Sequence, residues 1–178
     1  MSMVCGQLPS RINFSLFRGD ISAYYDALYK IFRRDFIENE VTYLGKRVDI
    51  IHEKYFSGRE RSFWHLISEG GRDEERMVYN VRSSYLPYAR ALIMDTVIDC
   101  RDYKTWIKYH DQSKRNRHYI WCQRENYLVI LEERKVGFKL ITAYPVEEYM
   151  VKKYEKEYNK TKTPITRMDE ISTPSTLG

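Results

Sequence analysis

The chain predicts an α+β domain. N-terminal helices and a β-hairpin pack on an antiparallel sheet meander, and a C-terminal helix and a disordered tail follow. Three observations carry this reading. Apolar positions recur at helical spacing from Ile21 through Tyr24, Leu28 and Phe32. Four strand-like runs then follow one another at 104–109, 117–123, 127–134 and 138–144, with short turns between the last three. After the last strand, helical spacing returns over 147–159, ahead of a segment with no aromatic residue.

The elements follow in order. Residues 1–19 show little pattern and read as an irregular arm. Asp20 is placed to cap a first helix that ends near Phe36. Val41-Thr-Tyr-Leu, then Gly45-Lys46, then Arg47-Val-Asp-Ile-Ile reads as a hairpin whose turn centres on the glycine. A second helix spans 55–68 and stops at Gly70-Gly71, before the charged loop Arg72-Asp-Glu-Glu-Arg76. A third spans 84–96, where Pro87 is tolerable only close to the start. Arg124-Glu-Asn126 and Lys135-Val-Gly137 turn the chain between the later strands. Residues 160–178 hold seven Ser or Thr and two Pro, the composition of a disordered tail. The domain proper is therefore 20–159.

At 178 residues the chain is long enough for one domain with a real core. Three cysteines (Cys5, Cys100, Cys122) make an odd number without metal-like spacing, which argues against a disulfide framework and for a reducing, cytoplasmic setting. No apolar run approaches a membrane span, so no membrane partner is expected. His52, His65, His110 and His118 are too scattered for a zinc site, and neither metal nor cofactor is expected. The net charge of +5 is uneven: between Arg101 and Tyr119 six Lys or Arg stand against two Asp. Such a strip is the footprint of a polyanion-binding surface, or else a solvated loop.

Two short strings hold the side chains best suited to chemistry. In Arg61-Ser-Phe-Trp-His65, Arg61 lies one helical turn before His65 and shares its face. Histidine both accepts and donates protons near neutral pH, which makes His65 a candidate acid or base, or a histidine that simply packs its helix. In Thr142-Ala-Tyr144 the hydroxyl and the phenol leave a strand end on the same face, where they can position a phosphate or finish an ordinary half-buried strand. Arg72, Arg76 and Arg82 supply planar forks for a phosphate, or pair with Asp73, Glu74 and Glu75. Arg117, Tyr119 and Trp121 alternate on one strand beside the basic strip, so Arg117 can meet a phosphate while the aromatics stack on bases or form core.

Several strings, in order from about residue 20 to 158, also carry a resemblance. These are Ala27-Leu-Tyr-Lys-Ile-Phe-Arg-Arg-Asp-Phe36, Leu44-Gly-Lys-Arg-Val48, Phe63-Trp-His65, Trp106, the strand from Tyr127 to Leu131, and Thr142-Ala-Tyr144. Together they resemble the Barnase–EndoU–colicin–RelE-like nuclease assemblage, specifically a bacterial and phage-borne group with Phe-Trp-His and Thr-Ala-Tyr elements. The resemblance implies a small antiparallel sheet with helices against it and a metal-independent RNase site. It makes His65 the acid or base, sets Thr142 and Tyr144 near the phosphate, and has Arg82 and Arg76 supply charge. One departure is visible: Ser84-Tyr85 stands where that group has a Glu-Arg pair.

The expectation is thus a metal-independent endoribonuclease, the toxin of a toxin–antitoxin or phage-conflict system, with His65, Arg82, Thr142 and Tyr144 catalytic. Arg61, Arg76, Arg117 and Trp121 would bind substrate. RNA is the expected partner, together with an antitoxin or inhibitor protein. The alternative is a nucleic-acid-binding or protein-interaction module on the same scaffold without catalysis.

Overall fold

The computed structural model describes residues 8–69, 77–78, 80–95 and 102–161. Upstream of the first helix the described arm is irregular apart from one 3-10 turn, Phe14–Phe17, yet it is packed down. Phe14 and Phe17 meet the ring of Tyr24 edge-on at 5.1 and 5.2 Å, so the core extends ahead of Asp20. Asp20 caps helix α1 (Ile21–Phe36) by accepting from the Ala23 amide at 2.9 Å, and Tyr24, Leu28, Phe32 and Phe36 form its buried stripe.

The hairpin pairs β1 (Thr42–Tyr43) with β2 (Lys46–Asp49) across Leu44 and Gly45. Both turn residues have positive φ, 50° and 70°, as a two-residue type I′ connection requires.

Helix α2 (Arg61–Ile67) starts six residues later than its sequence pattern predicts. Ser57 and Gly58 both take positive φ, which no α-helix accommodates, so 53–60 closes instead as a loop in which the Tyr55 amide donates to the Arg59 carbonyl at 2.8 Å. After α2 come the two-residue strands β3 (Ser68–Glu69) and β4 (Met77–Val78), paired antiparallel, and then α3 (Asn80–Ser84) and α4 (Leu86–Asp95). The helix expected over 84–96 is α4, which starts two residues later; α3 precedes it across a break at Tyr85, and Pro87 falls in the first turn of α4, where its missing N–H costs nothing.

Strands β5 (Tyr103–His110), β6 (Arg115–Cys122), β7 (Tyr127–Glu133) and β8 (Phe138–Pro145) form the expected meander, and α5 (Glu148–Lys160) follows. The order across the sheet is β1-β2-β8-β7-β6-β5. One expectation needs correcting. The hairpin does not lie on the sheet but extends it, because β2 pairs in parallel with β8 through Val48↔Phe138 and Asp49↔Lys139, making the sheet mixed. Val48 and Ile50 are buried while Lys46, Arg47 and Asp49 are exposed, as on a strand with one covered face.

Helices cover both faces of the sheet. Phe63, Leu66, Ile67, Leu86, Leu92, Ile120, Val129, Leu131 and Leu140 share the first core with α1. Trp106, Tyr119, Trp121, Leu128 and Ile130 form a second, closed by Tyr154 of α5. A bulge in β8 decides which core its last residues join. Leu131 pairs with Leu140, Ile130 with Thr142, and Ile141 is the extra residue. Residues directly opposite share a face. Leu140 thus faces the first core, while Thr142 and Tyr144, opposite Ile130 and Leu128, face the second.

Among the described residues no helix is long and apolar enough to cross a membrane, and no group of three His, Cys, Asp or Glu is gathered to hold a metal ion. The amino-terminal residues 1–7, Gly70-Gly71, the loop 72–76, Cys100 and the tail 162–178 lie outside the described residues.

Candidate functional site

Beyond Lys139, β8 has no strand on its outer side among the described residues, and α2 and α3 lie along that edge. Arg82 of α3 is the connector. Its Nη2 donates to the His65 carbonyl at 2.5 Å and to Thr142 Oγ1 at 2.9 Å, while Nε donates to the Leu66 carbonyl at 3.4 Å. Its Cζ stands 5.6 Å from the centre of the Tyr144 ring. Each of these hydrogen bonds goes to a neutral oxygen, and together they fix the guanidinium in place. One arginine thus ties the C-terminal turn of α2 to the last residues of β8.

Each neighbour is held by its own element. His65 is half-buried among the buried Phe63, Trp64, Leu66 and Ile67, and the Trp64 Nε1 fixes the helix to the Phe56 carbonyl at 2.9 Å. Ser83, next to Arg82, shares a 2.8 Å hydrogen bond with Tyr24 in the first core. Tyr144 shares a 2.6 Å hydroxyl contact with Tyr154. Burial pushes the Tyr144 phenol above its ordinary range, and the Tyr154 hydrogen bond and the Arg82 charge pull part of that back. Tyr154 itself is driven strongly upward by burial and by the same hydrogen bond, so both phenols keep their protons near neutral pH and either hydroxyl can donate to the other.

Arg82, Thr142, Tyr144 and the backbone of His65 therefore come together at one edge. The other nominated residues fall elsewhere. Arg61 is ion-paired with Glu53 at 3.0 Å, its guanidinium over the Tyr55 ring. Arg117 is paired with the buried Glu132 at 2.9 Å, and Arg134 holds the other carboxylate oxygen at 2.8 Å. Burial alone would raise Glu132, but Arg117, Ser113 and Arg134 hold its carboxyl below the usual range. Trp121 is fully buried in the second core, so it cannot stack on a base and its core alternative is the one realised. Arg76 lies outside the described residues.

The departure at Ser84-Tyr85 also has a structural account. Ser84 is buried and bonds back to the Val81 carbonyl at 2.7 Å, and Tyr85 stacks on Tyr127 at 5.5 Å between centroids. Both serve packing at the α3–α4 break. In the basic strip, Lys108 is paired with Glu157 at 2.8 Å and Lys104 sits over the rings of Trp121 and Tyr158.

Two groups escaped the sequence reading. Tyr154 belongs to the site through Tyr144; its helical spacing with Met150 and Tyr158 marks it as inward-facing, but nothing in the sequence pairs it with a particular strand residue. His118 is buried, with its Nε2 at 2.7 Å from Glu133 and its Nδ1 at 3.3 Å from the Tyr43 hydroxyl, joining the hairpin to β6 and β7. Comparison of the chain with protein-family models, with curated proteins and with solved structures finds no match.

Proposed function

We propose that the edge formed by α2, α3 and the end of β8 is the site of a metal-independent endoribonuclease. The observation that carries the reading is Arg82, which binds the backbone of His65, the hydroxyl of Thr142 and the ring face of Tyr144 at once. RNA cleavage without a metal needs a base to take the proton of the 2′-hydroxyl. The O2′–P bond then forms as the P–O5′ bond breaks, and an acid protonates the departing 5′-oxygen. Positive charge and hydrogen-bond donors must meet the phosphate oxygens as charge builds on them. In this reading His65 transfers the proton, Arg82 meets the phosphate, and Thr142 and Tyr144 position it. Arg76 adds charge.

The setting is a toxin–antitoxin or phage-conflict system in the cytoplasm, with an antitoxin or inhibitor protein as the second partner. Cleavage of a structured and an unstructured RNA by the purified protein, in chelator, tests the reading. Cleavage is expected with the wild type and lost with His65→Ala, with the melting curve preserved. A wild type that leaves both RNAs intact, and whose overexpression is harmless, ends the enzyme reading.

The second reading is nucleic-acid binding without catalysis. It is favoured by the commitment of two nominated groups inside the protein: the Thr142 hydroxyl accepts from Arg82, and the Tyr144 hydroxyl is shared with Tyr154. Salt-sensitive RNA binding with no cleavage would select it.

A further inference from the structure

The outer face of α5 carries an ordered set of side chains that this site does not use. Tyr154 fixes the inner face, its ring centroid 5.9 Å from that of Trp106 and 6.4 Å from those of Tyr119 and Trp121. With 3.6 residues per turn, the positions opposite Tyr154 are Tyr149, Lys152 and Lys156, with Lys160 continuing the row. All four are exposed, and Tyr149 shows 76% of its surface. The three lysines have no carboxylate partner among the described residues; the helix's Glu157 is turned toward Lys108 instead. Successive lysines stand about 6 Å apart along the axis, four residues at the α-helical rise.

The row begins at the candidate site. Tyr149 stands in the first turn of α5, five residues on from Tyr144 at the end of β8. From that point the row leads away along the whole of α5. A membrane-surface helix would need a row of exposed apolar side chains beside its lysines, and only Tyr149 stands there. A regularly spaced cation row that starts from an exposed aromatic instead matches what holds a single strand: a ring for a base and charges for the phosphates.

We propose that the outer face of α5 is a track for single-stranded RNA, with an unpaired base on Tyr149 and successive phosphates on Lys152, Lys156 and Lys160, delivering the strand to Arg82, Thr142 and Tyr144. The inference rests on the reading of that edge as an RNA-handling site. The test is binding of a fluorescent single-stranded homopolymer RNA to the full chain across a salt series. Each phosphate contact contributes about 0.7 to the slope of log K against log salt, so K152Q/K156Q/K160Q is expected to flatten the slope by about two. Y149A is expected to weaken binding roughly fivefold or more with the slope unchanged. Cleavage of a dinucleotide, too short to reach α5, should be equal in all three proteins.

An unchanged slope in the triple variant overturns the track, even if RNA is still cut. A flattened slope with a wild type that cuts no RNA supports the track while the nuclease reading fails. Equal loss of polyglutamate and RNA binding in the triple variant, with Y149A without effect on either, overturns the assignment to nucleic acid and leaves an acidic protein as the occupant.

Discussion

Arg82 donates to Thr142 Oγ1 at 2.9 Å, joining two residues sixty positions apart in the chain, one on a short helix and one on the last strand. The contact depends on the bulge at Ile141. Without the extra residue, Thr142 would keep the parity of Leu140 and face the first core.

The pair is expected to act as a unit. Thr142→Val removes the acceptor while keeping the β-branched shape, and Arg82→Lys keeps the charge but loses the fork. Each single change should lower RNA cleavage by about 10²-fold, the scale of one lost donor at a developing anion. The double variant should be scarcely worse than Arg82→Lys alone. Fully multiplicative losses in kcat/KM would show that the two residues do not cooperate.

Much of this architecture was legible before the structure. The Asp20 cap, the Leu44-Gly45 turn and the four strands follow from local chemistry that a single segment contains. The shared face of Thr142 and Tyr144 follows from strand parity alone. What was not legible depends on long-range pairing. Nothing within Lys46–Asp49 says that β2 will lie parallel to β8, and nothing near Ile141 announces a bulge. Trp121 and Arg117 show the same limit. A strand buried on both faces and a stacking platform are both rich in aromatics, and only the arrival of α5 and of Glu132 decides between them.

Glu132 should govern acid stability. Its carboxyl is held low in the folded protein by Arg117, Ser113 and Arg134, which outweigh its burial. A depressed folded-state value contributes stability that is present above the ordinary glutamate range, about 4.3, and is lost as pH falls through the folded value. Glu132→Gln leaves two arginines facing a neutral amide and should cost about 3 kcal/mol at pH 7 by urea denaturation. That gap should narrow at pH values where the native carboxyl is itself protonated. A gap constant from pH 7 into the acid range would show that the charge is not what matters.

Two glycines with nearly equal backbone angles should respond differently to alanine. Gly45 and Gly137 have φ of 70° and 75°. Around Gly45 there is open space, whereas a Cβ on Gly137 would run into the Arg47 carbonyl where the β7–β8 turn meets β2. Gly45→Ala should cost only the left-handed strain, about 1 kcal/mol. Gly137→Ala should cost that plus displacement of the hairpin, about 2 to 3 kcal/mol. Equal midpoints in urea for the two variants would mean that the close approach of turn and hairpin carries no energy.

Tyr154 should reveal itself through the titration of Tyr144. The Tyr154 hydroxyl lowers the Tyr144 phenol against the upward push of burial, so Tyr154→Phe should raise it further. If the neutral Tyr144 phenol donates to the phosphate, cleavage falls as pH rises through its pKa, and that alkaline limb should move to higher pH in Tyr154→Phe. In Tyr144→Phe the limb should vanish. Loss of one neutral hydrogen bond also loosens the ring, which should lower kcat about tenfold with KM unchanged. The same pair bears on stability with a definite sign. Both folded-state phenols lie above the ordinary tyrosine value of about 10, so their stabilisation is complete below that value and is lost as pH rises through the folded ones. Melting temperatures should therefore hold up to about pH 10 and fall beyond it, less steeply in the Tyr144→Phe/Tyr154→Phe double variant, where neither proton is left to lose. A pH–rate profile identical in wild type and Tyr154→Phe would show that the 2.6 Å contact only joins α5 to the sheet.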